Sequence, residues 1–312
     1  SNYAAKAKRA AVIGGGLLGL EAARGLLNLG VETHVVHLMP HLMEVQLDKS
    51  AGGVLLGAME QMGVKVHLEK ATTAILGNGH VTGLKFKDGS ELDCDLIVIS
   101  AGIRPNAQLA KDAGLKVERG IVVDDTLACE GESDIFAVGD VIGYPSLAST
   151  SFMQGRLAAC YAFGGQPGPM VEHLPIGIYA LPEISAIGSP EHELTQRKIP
   201  YETGIARYRE IARGQILGDD SGFLKLIVHR EDQRLLGVHA VGTGATELIH
   251  IGQAVLELGG GLPYFLRAVF NYPTLAECYK VAALDAFNKL VRHTGRGERS
   301  SPVPHVMNNE GV

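Results

Sequence analysis

The first apolar run, residues 10–13, breaks into Gly14-Gly15-Gly16 and is followed by Leu17, Leu20, Ala23 and Leu27 at helical spacing. This predicts a strand, a glycine turn and a helix over 17–29, built from good helix formers. Gly30 stops the helix, and residues 32–37 read as a second strand, which completes a βαβ unit. Residues 46–62 predict a further helix and 64–68 a strand. Asn78-Gly79 and Asp88-Gly89 then mark hairpin turns between β-rich segments. The uninterrupted run Leu-Ile-Val-Ile-Ser at 96–100 suits a parallel strand covered on both faces.

Downstream, residues 121–123 and 135–138 predict two more strands, and 149–163 a helix. Gly-Gly-Gln-Pro-Gly-Pro at 164–169 is a dense cluster of breakers and the strongest boundary along the chain. Beyond it, strand-like runs at 205–208, 224–229 and 235–241 are followed by helical stretches at 245–258 and 275–291. That order predicts an α+β unit. Residues 293–312 are polar, carry Pro and Gly, and read as a loose tail.

Composition narrows the partners. A length of 312 residues predicts two domains at about 150 residues each. Glycine supplies 40 positions, so many backbone sites need tight turns or close approach of a ligand. Trp is absent and aromatics are 5% of the chain, too few for base-stacking or sugar-stacking platforms. The net charge of −6 supplies no overall basic field, so nucleic acid is not an expected partner. No apolar run is long enough for a membrane span. Residues 1–9 are not followed by the apolar region of a secretory signal. Cys94, Cys129, Cys160 and Cys278 form no close pair, which argues against a disulfide framework or a structural zinc site. They read as packed thiols of a reducing, cytoplasmic protein.

The sharpest motif is Gly14-x-Gly16-x-x-Gly19, which follows a strand and opens a helix. The first glycine permits the turn, the second lets a pyrophosphate approach the backbone, and the third lets helix and strand pack closely. The end of the second strand, where a carboxylate would hold a ribose 2′-hydroxyl, carries His37. A neutral imidazole can still bond a ribose and an imidazolium favours a 2′-phosphate, so NAD and NADP both stay open. His34 and His37 fall on opposite faces of a strand, which argues against a metal site with His41. Phe136-Ala-Val-Gly-Asp140 places a carboxylate at the carboxyl edge of a sheet, where open α/β folds bind ligands.

Gly14-x-Gly16-x-x-Gly19-x-Glu21, with Gly102-Ile-Arg-Pro-Asn106 leading to Thr126 and Ala137-Val-Gly-Asp140, resembles the FAD-dependent pyridine nucleotide–disulfide oxidoreductases. The stretches 138–148, 178–185, 247–253 and 270–277 are similar to the soluble pyridine nucleotide transhydrogenase branch of that family. Val36-His-Leu-Met-Pro40 with Leu42-Met-Glu44 looks instead like the NAD-binding domain of nitrite reductase large subunits and rubredoxin-type reductases. The resemblance implies a Rossmann-type NAD(P)-binding domain at 1–118 and the C-terminal part of an FAD-binding domain at 119–167. An α+β dimerisation domain at 168–291 and a flexible tail at 292–312 complete the division. The family's first dinucleotide fold would stand before this one, where only 13 residues precede Gly14.

By the same resemblance, Glu21 lies near the nicotinamide, Gly102 lines the NAD(P) site, Gly139 and Asp140 meet the ribityl chain of FAD, and Ala148 opens a helix facing the flavin. The disulfide reductases carry a His–Glu base near the C-terminus; here the His position is Tyr272, with Glu277 retained. That pattern makes Tyr272 and Glu277 the catalytic-site candidates, with structural or positioning roles, and implies a hydride route from NADPH to NAD through flavin, without a dithiol. The helices at 245–258 and 275–291 would build the two-fold interface of a homodimer. Two other functions are weighed against this: a nucleotide-binding, dimerising module without catalysis, and the NADH-oxidising part of a nitrite reductase. The latter is weakened by the lack of a cysteine cluster for iron–sulfur ligation.

Overall fold

A computed structural model describes residues 2–47, 49–179 and 182–293. From residue 294 onward, the expected tail lies outside the described residues. After a short 3₁₀ turn (Ala4–Lys6) the chain forms β1 (Arg9–Ile13), α1 (Leu17–Asn28), β2 (Glu32–Val36), α2 (Lys49–Gln61) and β3 (Lys65–His67). A three-stranded antiparallel layer follows, β4 (Thr72–Gly77), β5 (Val81–Phe86) and β6 (Glu91–Asp93), before β7 (Leu96–Ile99) returns to the first sheet. That sheet has the order β3-β2-β1-β7 and is parallel throughout.

Alternation along β1 explains the layering. Ala10 and Val12 join Leu20 and Ala23 of α1 and Leu55 and Met59 of α2 in one buried cluster. Ala11, between them, joins Leu84, Phe86 and Cys94 of the antiparallel layer on the opposite face. The Asp95 carboxylate accepts the N–H groups of Lys8 and Arg9, which fixes the start of β1 against the start of β7. One expectation needs correcting here. β7 is an edge strand and is not covered on both faces: Ile99 is 66% exposed.

The two strands expected at 121–123 and 135–138 do not form. This stretch pairs only through the single bridges Val117–Ile121, Val123–Cys129 and Ala128–Phe136. A strand needs a continuous neighbour for its backbone groups, and here each run makes only scattered bonds, such as Ile121 to the Val141 carbonyl and Ala137 to that of Leu127. α3 (Gln108–Asp112) precedes this region, a 3₁₀ turn (Gly139–Ile142) follows it, and α4 (Ala148–Ala162) packs Leu157 and Ala158 against Leu127.

The remaining elements are β8 (Ile176–Ile178), β9 (Ile184–Gly188), α5 (Glu191–Gln196), β10 (Tyr201–Arg207), α6 (Ala212–Leu217), β11 (Phe223–His229) and β12 (Leu235–Val241). α7 (Ala245–Glu257), α8 (Leu262–Arg267) and α9 (Glu277–His293) follow. The five strands make an antiparallel sheet of order β10-β11-β12-β9-β8. Leu224, Leu226 and Val228 of β11 and Val238 of β12 turn one face toward Leu248, Ile249, Tyr279, Ala282 and Ala286 of α7 and α9. On the opposite face, Phe223, Val241, Ile178 and Ile184 extend the cluster of the parallel sheet, so one core spans both units.

One polar device holds the helices to this sheet and another holds them to each other. Glu183 accepts the backbone N–H (3.3 Å) and the hydroxyl (2.8 Å) of Thr246 at the start of α7, while its carbonyl accepts the N–H of Gly242. The buried Tyr279 hydroxyl of α9 accepts the Gly252 N–H at 2.9 Å and donates to the Leu248 carbonyl at 2.9 Å, both in α7. Tyr279→Phe removes both bonds inside a dry contact and should lower stability by about 1–2 kcal/mol, measured as a shift of the urea midpoint.

Asp219 accepts the N–H groups of Thr243 and Gly222 at 2.8 and 2.9 Å. Burial alone would raise its carboxyl pKa, but these donors outweigh it and hold the group below the ordinary carboxylate value. Stability from this site is therefore complete above the ordinary aspartate pKa and is lost as the pH falls below it. Asp219→Asn should be less stable than the parent at pH 7 and lose less stability between pH 5 and pH 3, as read by urea unfolding at each pH.

Candidate nucleotide site

The site begins where β1 ends. Gly14 lies at φ +123°, donates its N–H to the Val36 carbonyl at 2.9 Å, and has no room for a side chain: a Cβ would stand 2.1 Å from the Ser100 carbonyl oxygen. Gly19, in the first turn of α1, faces the carbonyl of Gly14 so closely that a Cβ would come within 1.9 Å of it. The helix thus sits down on the turn that precedes it. Gly16 differs from both, because the space where its Cβ would project is open to 4 Å.

Gly16 is also the N-cap of α1, with extended backbone and no side-chain cap, and the first turn carries no acidic residue. The first N–H groups of a twelve-residue helix thus receive no side-chain cap, beside the open space at Gly16 and at the positive end of the helix dipole. This is an anion seat of the kind that takes a pyrophosphate.

His37 follows β2 and is 7% exposed. Its Nδ1 accepts the backbone N–H of Gly15 at 3.0 Å, and its Nε2 lies 2.9 Å from a carboxylate oxygen of Glu44. A nitrogen that accepts from an amide carries no proton, so the ring proton is on Nε2 and points at Glu44. Both ring nitrogens are committed within the protein, which leaves neither for a ribose. The loop after His37 grips the next peptide of the turn as well, since Met43 donates its N–H to the Gly15 carbonyl at 3.1 Å. No sequence signal pointed to this pairing of His37 with Glu44 and Gly15.

Gly102 lies at φ +97°, exposed, two residues beyond the Ser100 carbonyl that crowds Gly14. Ile103, Arg104, Pro105 and Asn106 then line a cleft of 390 Å³ with Asp140 and Val141. The structure thus brings the Gly102–Asn106 motif and the Gly139–Asp140 motif to one cleft. Gly139 donates its N–H to the buried Gln154 side chain at 2.7 Å, which ties the 3₁₀ turn to α4. Ala148 opens α4 and is exposed, behind an N-cap, Leu147, with no side-chain cap bond. Glu21 is half-buried in the second turn of α1.

Tyr272 and Glu277 stand apart from this group. Tyr272, 73% exposed, precedes α9, and Glu277 opens that helix with one buried carboxylate oxygen, Oε2, that meets no hydrogen-bond partner among the described residues. No hydrogen bond or ion pair among the described residues joins either to the glycine turn. His34 stacks on His67, with ring nitrogens 2.9 Å apart, and reaches Glu32 at 3.2 Å. Burial lowers the pKa of both rings. His34 and His37 thus keep separate partners.

A carboxylate at Gly16 would test the anion seat. Gly16→Asp fits the open space and the N-cap position, so thermal stability should be kept or raised. The carboxylate would occupy the seat and repel phosphate, so NADH affinity should fall by about 100-fold or more in a fluorescence titration.

Comparisons with known proteins agree with this geometry. The pyridine nucleotide-disulphide oxidoreductase profile matches residues 1–155, and the dimerisation domain of the same family matches residues 174–283. A soluble pyridine nucleotide transhydrogenase of Mycobacterium bovis is 44% identical over 283 residues, which are 89% of this chain and 60% of that protein. This similarity therefore extends into the front half as well. The chain spans about three fifths of the length of the curated relatives it matches. Among solved structures, an FAD-dependent pyridine nucleotide-disulphide oxidoreductase from Desulfovibrio vulgaris is similar with a TM-score of 0.73 at 25% identity, covering 91% of this chain and 72% of that one. LpdA of Mycobacterium tuberculosis shares the fold with a TM-score of 0.79 at 24% identity over 89% of this chain and 61% of that one. Two profiles of one family match nearly end to end, and a glycine turn of the required shape lies inside the first: the chain belongs to the pyridine nucleotide-disulphide oxidoreductase family.

Proposed function

We propose that this chain is an FAD-linked NAD(P)H oxidoreductase of the soluble transhydrogenase type, passing hydride between NADPH and NAD. The observation that carries the reading is the open, uncapped N-terminus of α1 above Gly16, framed by two glycines that admit no side chain. Gly14, Gly16 and Gly19 hold the pyrophosphate, Glu21 lies toward the nicotinamide, and Gly102 borders the same edge. Gly139, Asp140 and Ala148 receive the flavin, which fits the cleft shared by Asp140 with residues 103–106. When bound, FAD supplies a two-electron acceptor and donor. The protein's share is to hold phosphates and align rings.

Three of the four cysteines favour a hydride route over thiol chemistry. Burial pushes Cys278 up to about 12 and raises Cys94 and Cys129 as well, so each stays protonated and a poor nucleophile at neutral pH. Tyr272 and Glu277 serve as positioning residues at a subunit contact. The Glu44 carboxylate at this edge is engaged by His37, and exposed Leu38 and Met39 follow the ring, so no side chain there is set to select strongly for or against a 2′-phosphate. NADH and NADPH should therefore bind within about tenfold of each other by fluorescence titration. With FAD added, NADPH should reduce thio-NAD; no turnover at saturating FAD would refute the assignment. A second reading, a nucleotide-binding module without catalysis, is favoured by the bridge-only pairing of residues 117–136. It is the outcome if NADH binds and that assay stays silent.

The partner in this reading is a second copy. Leu258 and Val269, 87% and 96% exposed, lie on the unit that matches the dimerisation domain. Val269→Glu should shift the chain from dimer toward monomer in sedimentation velocity.

A further inference from the structure

We infer that His37 and Glu44 form a clamp on the Gly15 peptide, so that His37 is a positioning residue for nucleotide binding that works only while its Nδ1 is unprotonated. The inference rests on the nucleotide-site reading above and adds to it a means of control. Gly15 is the middle residue of the glycine turn, buried, with its N–H on His37 and its carbonyl on Met43. The two peptides that flank Gly15 are thereby fixed, and their orientation sets where Gly16 and the first N–H groups of α1 point. A Cβ at Gly15 would come within 2.7 Å of the His37 ring and 2.6 Å of Leu42, so the ring is packed directly on the turn.

Protonation reverses the sign of the contact. An imidazolium carries N–H groups at both positions, and its Nδ1–H would face the Gly15 N–H across 3.0 Å, two donors with no acceptor. Nε2 stays on Glu44 in either state, so the change of sign falls on the Gly15 contact alone. The other titratable groups around His37 are tied elsewhere. His67 and Lys70 meet it through the backbone of β3 and the residues beyond, the His67 ring stacks on His34, and the Lys70 ammonium is held by Asp88. His41 turns its Nδ1 to the Leu42 carbonyl, and the first turn of α1 supplies no acid. No second carboxylate opposes Glu44 among these residues.

The test measures NADH affinity by fluorescence titration from pH 8 to pH 5.5 in the full chain, with protection of the Gly15 amide by hydrogen exchange as a second readout. The parent should bind more weakly, and lose Gly15 protection, as the pH falls. His37→Asn puts a non-titrating Oδ1 where Nδ1 stood. It should restore binding near the parent's pH 8 value and flatten the profile. His37→Leu leaves the Gly15 N–H without its acceptor and should, at every pH, bind about tenfold or more weakly than the parent does at pH 8. An unchanged pH profile in His37→Asn, or parental affinity in His37→Leu, would overturn the clamp. If no form binds NADH at pH 8, the nucleotide-site reading fails. Gly15 protection in the free protein then still decides the clamp, which stands if acid removes it from the parent and not from His37→Asn.

Discussion

The seating of α1 on the turn before it is the constraint on which the candidate nucleotide site depends. With Gly14 wedged under the Ser100 carbonyl and Gly19 on the Gly14 carbonyl, backbone meets backbone with no side chain between. That contact brings the positive end of the helix over the carboxyl edge of the parallel sheet. It also ties β7 to β1 beyond their ladder, because the residue crowding Gly14 belongs to the segment leaving β7. Gly102 and the cleft residues that follow inherit their place from it. A single methyl group at Gly14 or Gly19 would displace the helix, and with it every group that uses its N-terminus.

Much of this was legible in the sequence because it rests on residue types with few substitutes. Gly14, Gly16 and Gly19 at their spacing after an apolar run announce the βαβ unit, and β12, α4, α7 and α9 lie within two residues of where periodicity put them. Other elements were too short to show a period: β8 has three residues, and α5, α6 and α8 six each. Their positions come from tertiary pairing, which local propensity does not record. The runs at 121–123 and 135–138 have strand-like composition without a strand's neighbours, so they end as bridges. Hydrophobic pattern reports which side chains need burial; it does not say whether a ladder partner is at hand.

His37 shows where reading by position stops. Its place after β2 pointed to a ribose contact, but the ring is turned inward by Glu44, seven residues on, and by a backbone amide 22 residues back. Neither partner is marked by residue type, since a surface glutamate and the middle glycine of a turn have many commoner uses. Placement on the edge was predictable, whereas orientation depended on two hydrogen bonds that only the folded loop creates.

The Glu183 contact at the start of α7 bears on how the molecule assembles. Helices usually carry their own N-cap in the adjoining residues, so the first turn can begin locally. Here the residue that accepts from Thr246 lies 63 positions earlier, beside β9 in the sheet. α7 can therefore complete its first turn only after β9 has docked along β12, which joins helix formation to a long-range strand pairing. The last helices are thus bound into one cooperative unit with the sheet, and local fluctuation of α7 alone is disfavoured because it would also strip Glu183 of its partner.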